Sequence, residues 1–170
     1  MKTLRLAVMA SLALAISAPS AFAEGTQRVL LQSKDWRAVV DQDAKGKICY
    51  AIAKPAKLEP TALKHGDVSF FVSSRPNQKL HNEPSVLVGY PLKENSKGVA
   101  DVDGKKYPTM SSGSSAWLET PADEGKFLDA MKKGKKLTVA LESARGSATH
   151  YEFSLDGLGG ALDAAAKECK

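Results

Sequence analysis

The chain has 170 residues, 43% of them hydrophobic, with 24 basic and 19 acidic side chains for a formal charge of +5, and two cysteines. That length is about one domain with a core of its own, which excludes a dense disulfide scaffold. A basic surplus this small, spread over the whole chain, excludes a nucleic-acid footprint.

The N-terminus sets the expected compartment. Lys2 and Arg5 give a basic start, and Leu4 to Ile16 form a short apolar core interrupted only by Arg5 and Ser11. Ser17, Pro19 and Ser20 break it, and Ala21-Phe22-Ala23 has the small-x-small form of a cleavage site. The run is too short and too interrupted for a spanning helix of ~20 residues. Residues 1–23 therefore read as a cleaved secretory signal with Glu24 as the mature start. The mature protein is expected in the periplasm, without a transmembrane span. Loss of Lys2 and Arg5 lowers the charge from +5 to +3. In an oxidising compartment an even pair of cysteines, Cys49 and Cys169, favours one disulfide over two free thiols.

Glu24 to Lys34 has little periodicity and is expected to be an extended arm. Asp35 to Gln42 sets Trp36, Ala38 and Val40 on one face. Asp43-Ala44-Lys45-Gly46 turns the chain, and Lys47 to Ala53 returns as the second strand of a hairpin. Pro55 to His65 reads as a loop or short helix, since Pro55 and Pro60 limit regular structure. Asp67 to Ser74 is a strand rich in β-formers, ended by Arg75-Pro76-Asn77. Glu83 to Tyr90 is the next, with Pro84 confined to its beginning or an edge. Val99 to Val102 and Lys105 to Met110 are joined by Asp103-Gly104, a strong hairpin signal because both turn positions need positive φ. Ser111 to Ser115 is a small-residue loop before a brief apolar return at Ala116-Trp117-Leu118.

Thr120 to Gly134 carries helix punctuation: Thr120 to cap, Pro121 at the first position, acids early, and Lys132 and Lys133 late. Phe127, Leu128 and Met131 form its apolar stripe. The basic cluster Lys132, Lys133, Lys135 and Lys136 reads as the solvated end of this helix, where the dipole favours cations. Lys136 to Glu142 and Ala148 to Ser154 alternate apolar and polar residues as strands. Asp156-Gly157 then turns into a helix bearing Leu158, Ala161, Leu162 and Ala165, up to Cys169.

Seven to nine alternating strands with two helices predict antiparallel sheets, each with one wet face. Burying the dry faces requires two packed sheets or one sheet closing on itself. The expected fold is an antiparallel β-sandwich over residues 35–170, with one inserted helix and a short C-terminal helix. A distorted barrel is the second arrangement.

Motifs for catalysis are absent or broken. Gly157-Leu158-Gly159-Gly160 lacks the third glycine of a dinucleotide loop, Leu162 standing in its place, and no second strand follows. Asp101-Val102-Asp103-Gly104 places Lys105 where a calcium ligand would be needed. No G-x-S-x-G elbow surrounds the serines, and His65, His81 and His150 are far apart in sequence. No metal or cofactor is expected. Arg75 and Glu83 flank a polar connection and would meet if their strands pair. Arg75, Asn77, His81, Asn82 and Glu83 are the candidate partner-binding rim.

Trp36, Cys49-Tyr50, Lys54-Pro55, Arg75-Pro76, Asn82-Glu83 and Gly89-Tyr90 occur in an order that resembles the invasion-associated locus B family. Asp103-Gly104, Ala116-Trp117, Met131 to Gly134, Ser143 to Gly146 and Phe153 to Gly157 continue the likeness, which covers about residues 33–169. The family consists of exported proteins of Gram-negative, mainly alphaproteobacterial, cells. The resemblance implies a periplasmic or outer-membrane-associated β-sandwich with no established catalytic centre, some relatives being linked to host-cell entry.

Three functions remain open at this stage. A monomeric, non-enzymatic protein binding another protein or an envelope component predicts that no buried polar cluster lies in a concave pocket. A hydrolase or inhibitor of envelope polymers needs convergent titratable groups, and a small-ligand carrier needs a cavity between the sheets.

Overall fold

A computed structural model describes residues 27–170. The secretory signal and the Glu24 start lie outside the described residues. The chain opens with strands β1 (Arg28–Ser33), β2 (Trp36–Asp43) and β3 (Gly46–Ala53), then a short β4 (Lys57–Glu59). The hairpin of β5 (Ser69–Arg75) and β6 (Leu80–Leu87) follows, and then β7 (Lys97–Val102), β8 (Lys105–Ser112) and β9 (Ser115–Leu118). Helix α1 (Glu124–Lys133) leads into β10 (Lys136–Glu142) and β11 (Ala148–Ser154), and α2 (Leu158–Glu168) completes the described chain.

All named strands join one antiparallel sheet in the order β1-β2-β3-β5-β6-β9-β8-β7-β10-β11-β4. The sheet folds over on itself. Phe70 on β5 packs 5.6 Å, ring to ring, from Phe153 on β11, although β6, β9, β8, β7 and β10 separate them along the sheet. Trp36 Nε1 on β2 donates to the Ser154 carbonyl at 2.9 Å across the same gap. The two halves thus face each other as layers of a sandwich. The chain itself makes one corner. After β3 it bends at Lys54-Pro55, Ala56 N donates to Glu152 O at 2.7 Å, and β4 pairs with β11 in the opposite layer.

Between the layers lies one core containing Trp36, Phe70, Val139, Phe153 and Leu155, as the strand alternation predicts. Of the two adjacent phenylalanines Phe70 points inward, while Phe71 is half-buried against Tyr50 outside. Phe127 of α1 seals the core beside Tyr107 at 4.9 Å. Leu158, Ala161, Leu162 and Ala165 bury the apolar stripe of α2, which lies over β1, β2 and β3.

Several local expectations need correction. The arm over 24–34 is a paired strand from Arg28 to Ser33. A bulge between Val29 and Leu31 breaks its period of two and hid it. Lys57–Glu59, inside the stretch read as loop or helix, is a strand because β11 offers it a partner. Ser111 to Ser115 is no open loop: Ser111 and Ser112 belong to β8, and Gly113-Ser114 turns directly into β9. Thr120 caps nothing with its side chain. A single 3₁₀ turn, Pro121–Asp123, precedes α1. Pro84 sits within β6, where β9 does not yet pair, so its missing N–H breaks no ladder. The Asp103-Gly104 turn has φ of 49° and 95°, both positive as expected.

Candidate functional site

Three connections meet at one end of the folded sheet. They are the loop from Pro60 to Asp67, the Tyr90-Pro91 link after β6, and the β10–β11 turn from Ser143 to Ser147. Gly66 and Gly89 let the first two touch: a Cβ on Gly66 would come within 2.8 Å of the Gly89 Cα, and Gly66 has φ of +64°. Ala144 N donates to Pro91 O at 2.9 Å and joins the third. The turn is held by Gly146 N to Ser143 O at 2.8 Å and Ser147 N to Ser143 Oγ at 3.0 Å. Together these segments enclose a pocket of about 380 Å³, within the range of small-molecule sites.

A buried hydrogen-bond relay forms its floor. His65 Nε2 lies 2.9 Å from Pro60 O. A carbonyl only accepts, so Nε2 carries a proton, and in the neutral ring Nδ1 is an acceptor. Nδ1 lies 2.9 Å from the Tyr151 hydroxyl, which therefore donates to it. Tyr90 OH stands 2.6 Å from Tyr151 OH and 2.7 Å from Thr149 Oγ1. Tyr90 thus bridges Thr149 and Tyr151, and Thr149 Oγ1 also donates to the Leu141 carbonyl at 3.4 Å. Thr149, Tyr151 and His65 are buried and Tyr90 is half-buried. Burial, the largest cause, pushes the Tyr151 phenol well up from its ordinary value.

The walls are largely apolar, with Leu63, Pro91 and Ala144 on the lining, and Lys64 and Arg145 at the exposed edge. Among the described residues neither cation is in an ion pair. The nearby carboxylates are paired elsewhere: Glu142 with Lys93 at 2.9 Å, Glu59 with Lys57 at 2.6 Å, and Asp67 with Lys54.

Sequence reasoning missed this site because its parts lie on four separate segments. His65 ends a stretch that reads as a loop or short helix, far in sequence from His81 and His150. The available signal was on β11, whose apolar face carries Thr149 and Tyr151: hydroxyls on a buried face require partners. Between the layers, the space beside Phe70, Thr109 and Val139 is about 10 Å³, whereas the recess described above lies at the loop end.

The candidate partner-binding rim lies elsewhere, around the β5–β6 turn. Arg75 and Glu83 do not meet. A register shift between Ser73 and Arg75 turns the guanidinium toward the β2–β3 hairpin, where it holds both oxygens of Asp43 at 3.1 and 2.9 Å. That contact, then the Lys45 N–H, draws the Asp43 carboxyl below its ordinary value. The Asn77 side chain lies against Gly46. His81 and Asn82 are exposed, and Glu83 is half-buried. Burial and the Glu83 charge raise the Glu124 carboxyl on α1. The rim is thus a braced hairpin end rather than a recess.

Cys49 and Cys169 are joined, with Cα atoms 5.9 Å apart. No helix among the described residues is long and apolar enough to cross a membrane. The fold and bridge define a disulfide-closed antiparallel β domain with two packed layers. The model of the invasion associated locus B (IalB) protein family matches residues 36–166, and the chain belongs to that family. Neither the curated proteins nor the solved structures give a match.

Proposed function

We propose that this is an exported, monomeric, non-enzymatic protein of the bacterial envelope, which recognises an envelope component through the pocket between His65, Tyr90 and Arg145. The observation that carries the reading is the recess at the loop end, although its buried polar floor departs from what the sequence predicts for a binder. A buried chain of Thr149, Tyr90, Tyr151 and His65 is costly to assemble unless each member is satisfied, and here it stiffens the base of a recess. Binding rather than catalysis fits the same geometry. The relay atoms are engaged with one another, the raised Tyr151 phenol is a poor base, and the lining contains no carboxylate. The basic N-terminus, apolar run and Ala21-Phe22-Ala23 support export, and the bridge suits an oxidising compartment.

Photocrosslinking in intact cells tests the reading. A benzophenone side chain at exposed Ala144 should capture a component of the envelope, while the same group at Asn77 should not. Capture from Asn77 alone would move the binding site to the β5–β6 rim.

A further inference from the structure

The pocket's charge and lining define a class of ligand, an inference that rests on the pocket being a binding site. We infer that it takes a small amphiphile with one anionic head and an apolar body, a medium-chain carboxylic acid being the simplest form. The head is assigned by an imbalance of charge. Lys64 and Arg145 stand at the mouth without ion-pair partners among the described residues, while Glu59, Asp67 and Glu142 on the flanking segments are each held by another lysine. Two cations at one mouth favour an anion, and a guanidinium is well shaped to grip a carboxylate through two parallel hydrogen bonds.

The body is assigned by the walls. Leu63 is 41% exposed, one of few large apolar side chains left open, and it faces the same recess as Pro91 and Ala144. Covering that surface favours hydrocarbon over a sugar or peptide backbone. The relay reinforces the choice. The relay hydroxyls and ring nitrogens are already hydrogen-bonded, so the polar capacity left on the lining is chiefly that of the Ser143 and Ser147 hydroxyls. Size narrows the class. About 380 Å³ falls in the range of small-molecule sites, which is room for a single medium chain.

Titration of the ¹⁵N-labelled mature protein with decanoate, decan-1-ol and decyltrimethylammonium tests both claims. Decanoate should shift the amides of Leu63 to His65 and Ala144 to Ser147 saturably. Decanol should bind at least about tenfold more weakly, and so should decanoate to Arg145→Gln, since a charge-assisted hydrogen bond is worth that much. The cationic amphiphile should not compete. Lys64→Gln should weaken decanoate and leave decanol unchanged. If decanol or the cation matches decanoate at these amides, the anionic-head inference is overturned while the pocket stands as a binding site. If none of the three shifts these amides saturably, the ligand class and the pocket reading both fall.

Discussion

Tyr151 is the residue on which the relay turns. It bonds on one side to His65 and on the other to Tyr90, with no exposure of its own. Tyr151→Phe keeps the ring but strands the His65 Nδ1 acceptor, so it should cost ~1–3 kcal/mol in a urea titration. Tyr90→Phe should cost less, because Tyr151 keeps His65 and Thr149 keeps the Leu141 carbonyl. A Tyr90→Phe loss as large as that of Tyr151→Phe would overturn this ranking of the two hydroxyls. Glu124 offers a second test at this scale. Burial, then Glu83, lifts its carboxyl in the folded state, so the native protein holds that proton more tightly than the unfolded chain. The resulting penalty is fully present above the raised value and fades as pH falls through it toward the unfolded value. Glu83→Gln should therefore stabilise the fold slightly at pH 7, by no more than about 0.5 kcal/mol for screened charges, read as a small rise in the melting midpoint. The gain should vanish below about pH 4, where glutamates are protonated. An unchanged midpoint at pH 7 would show that the two carboxylates do not interact.

At the scale of elements, the junction between β11 and α2 is the most constrained. Gly157 has φ of +94°, and a Cβ there would run into the Ser33 carbonyl oxygen at the end of β1. Lys34 Nζ reaches Asp156 at 2.7 Å beside it. Gly157→Ala should thus lose ~1–3 kcal/mol from strain and displacement together. Gly159 lies two residues on, inside the helix, with open space around its Cα. Gly159→Ala should instead gain ~0.5–1 kcal/mol. Opposite signs in one denaturant series would separate tertiary constraint from helix propensity, and a gain at Gly157 would refute the close approach. In the middle of β11, Phe153 is fully buried between Phe70 and the core, and Phe153→Ala should cost ~3–5 kcal/mol. The strands legible in sequence are those whose alternation is clean, β10 and β11 above all. β1 with its bulge and β4 with three residues were illegible because only a neighbouring strand gives them form.

For the whole molecule, the decisive feature is closure. One sheet folds over itself, β4 carries the chain across to the other layer, and Cys169 bonds α2 back to β3. The bridge spans 120 residues of sequence, for which chain entropy suggests up to ~4–5 kcal/mol. A Cys49→Ser, Cys169→Ser double variant should lose ~2–5 kcal/mol in guanidinium. A loss below ~1 kcal/mol would mean that the apolar stripe of α2 holds the helix unaided. The pairing was legible because the sequence contains only two cysteines, and the layered class because apolar faces must be covered. The pocket was not legible. It depends on how three connections fall together once the layers fold, and that long-range placement leaves no local pattern in the residues it unites.

The same bridge decides how the molecule responds to tension. Every residue between Cys49 and Cys169 lies inside a covalent ring. A pull applied to the chain before Cys49 and after Cys169 extends nothing within the ring, because the load passes from Cys169 straight into β3. The remaining strands are shielded from the force, and the pocket is shielded with them. Reduction would release the ring and add about 400 Å of extensible chain at ~3.3–3.6 Å per residue. A single-molecule trace with and without reductant would display that difference as one discrete gain in length.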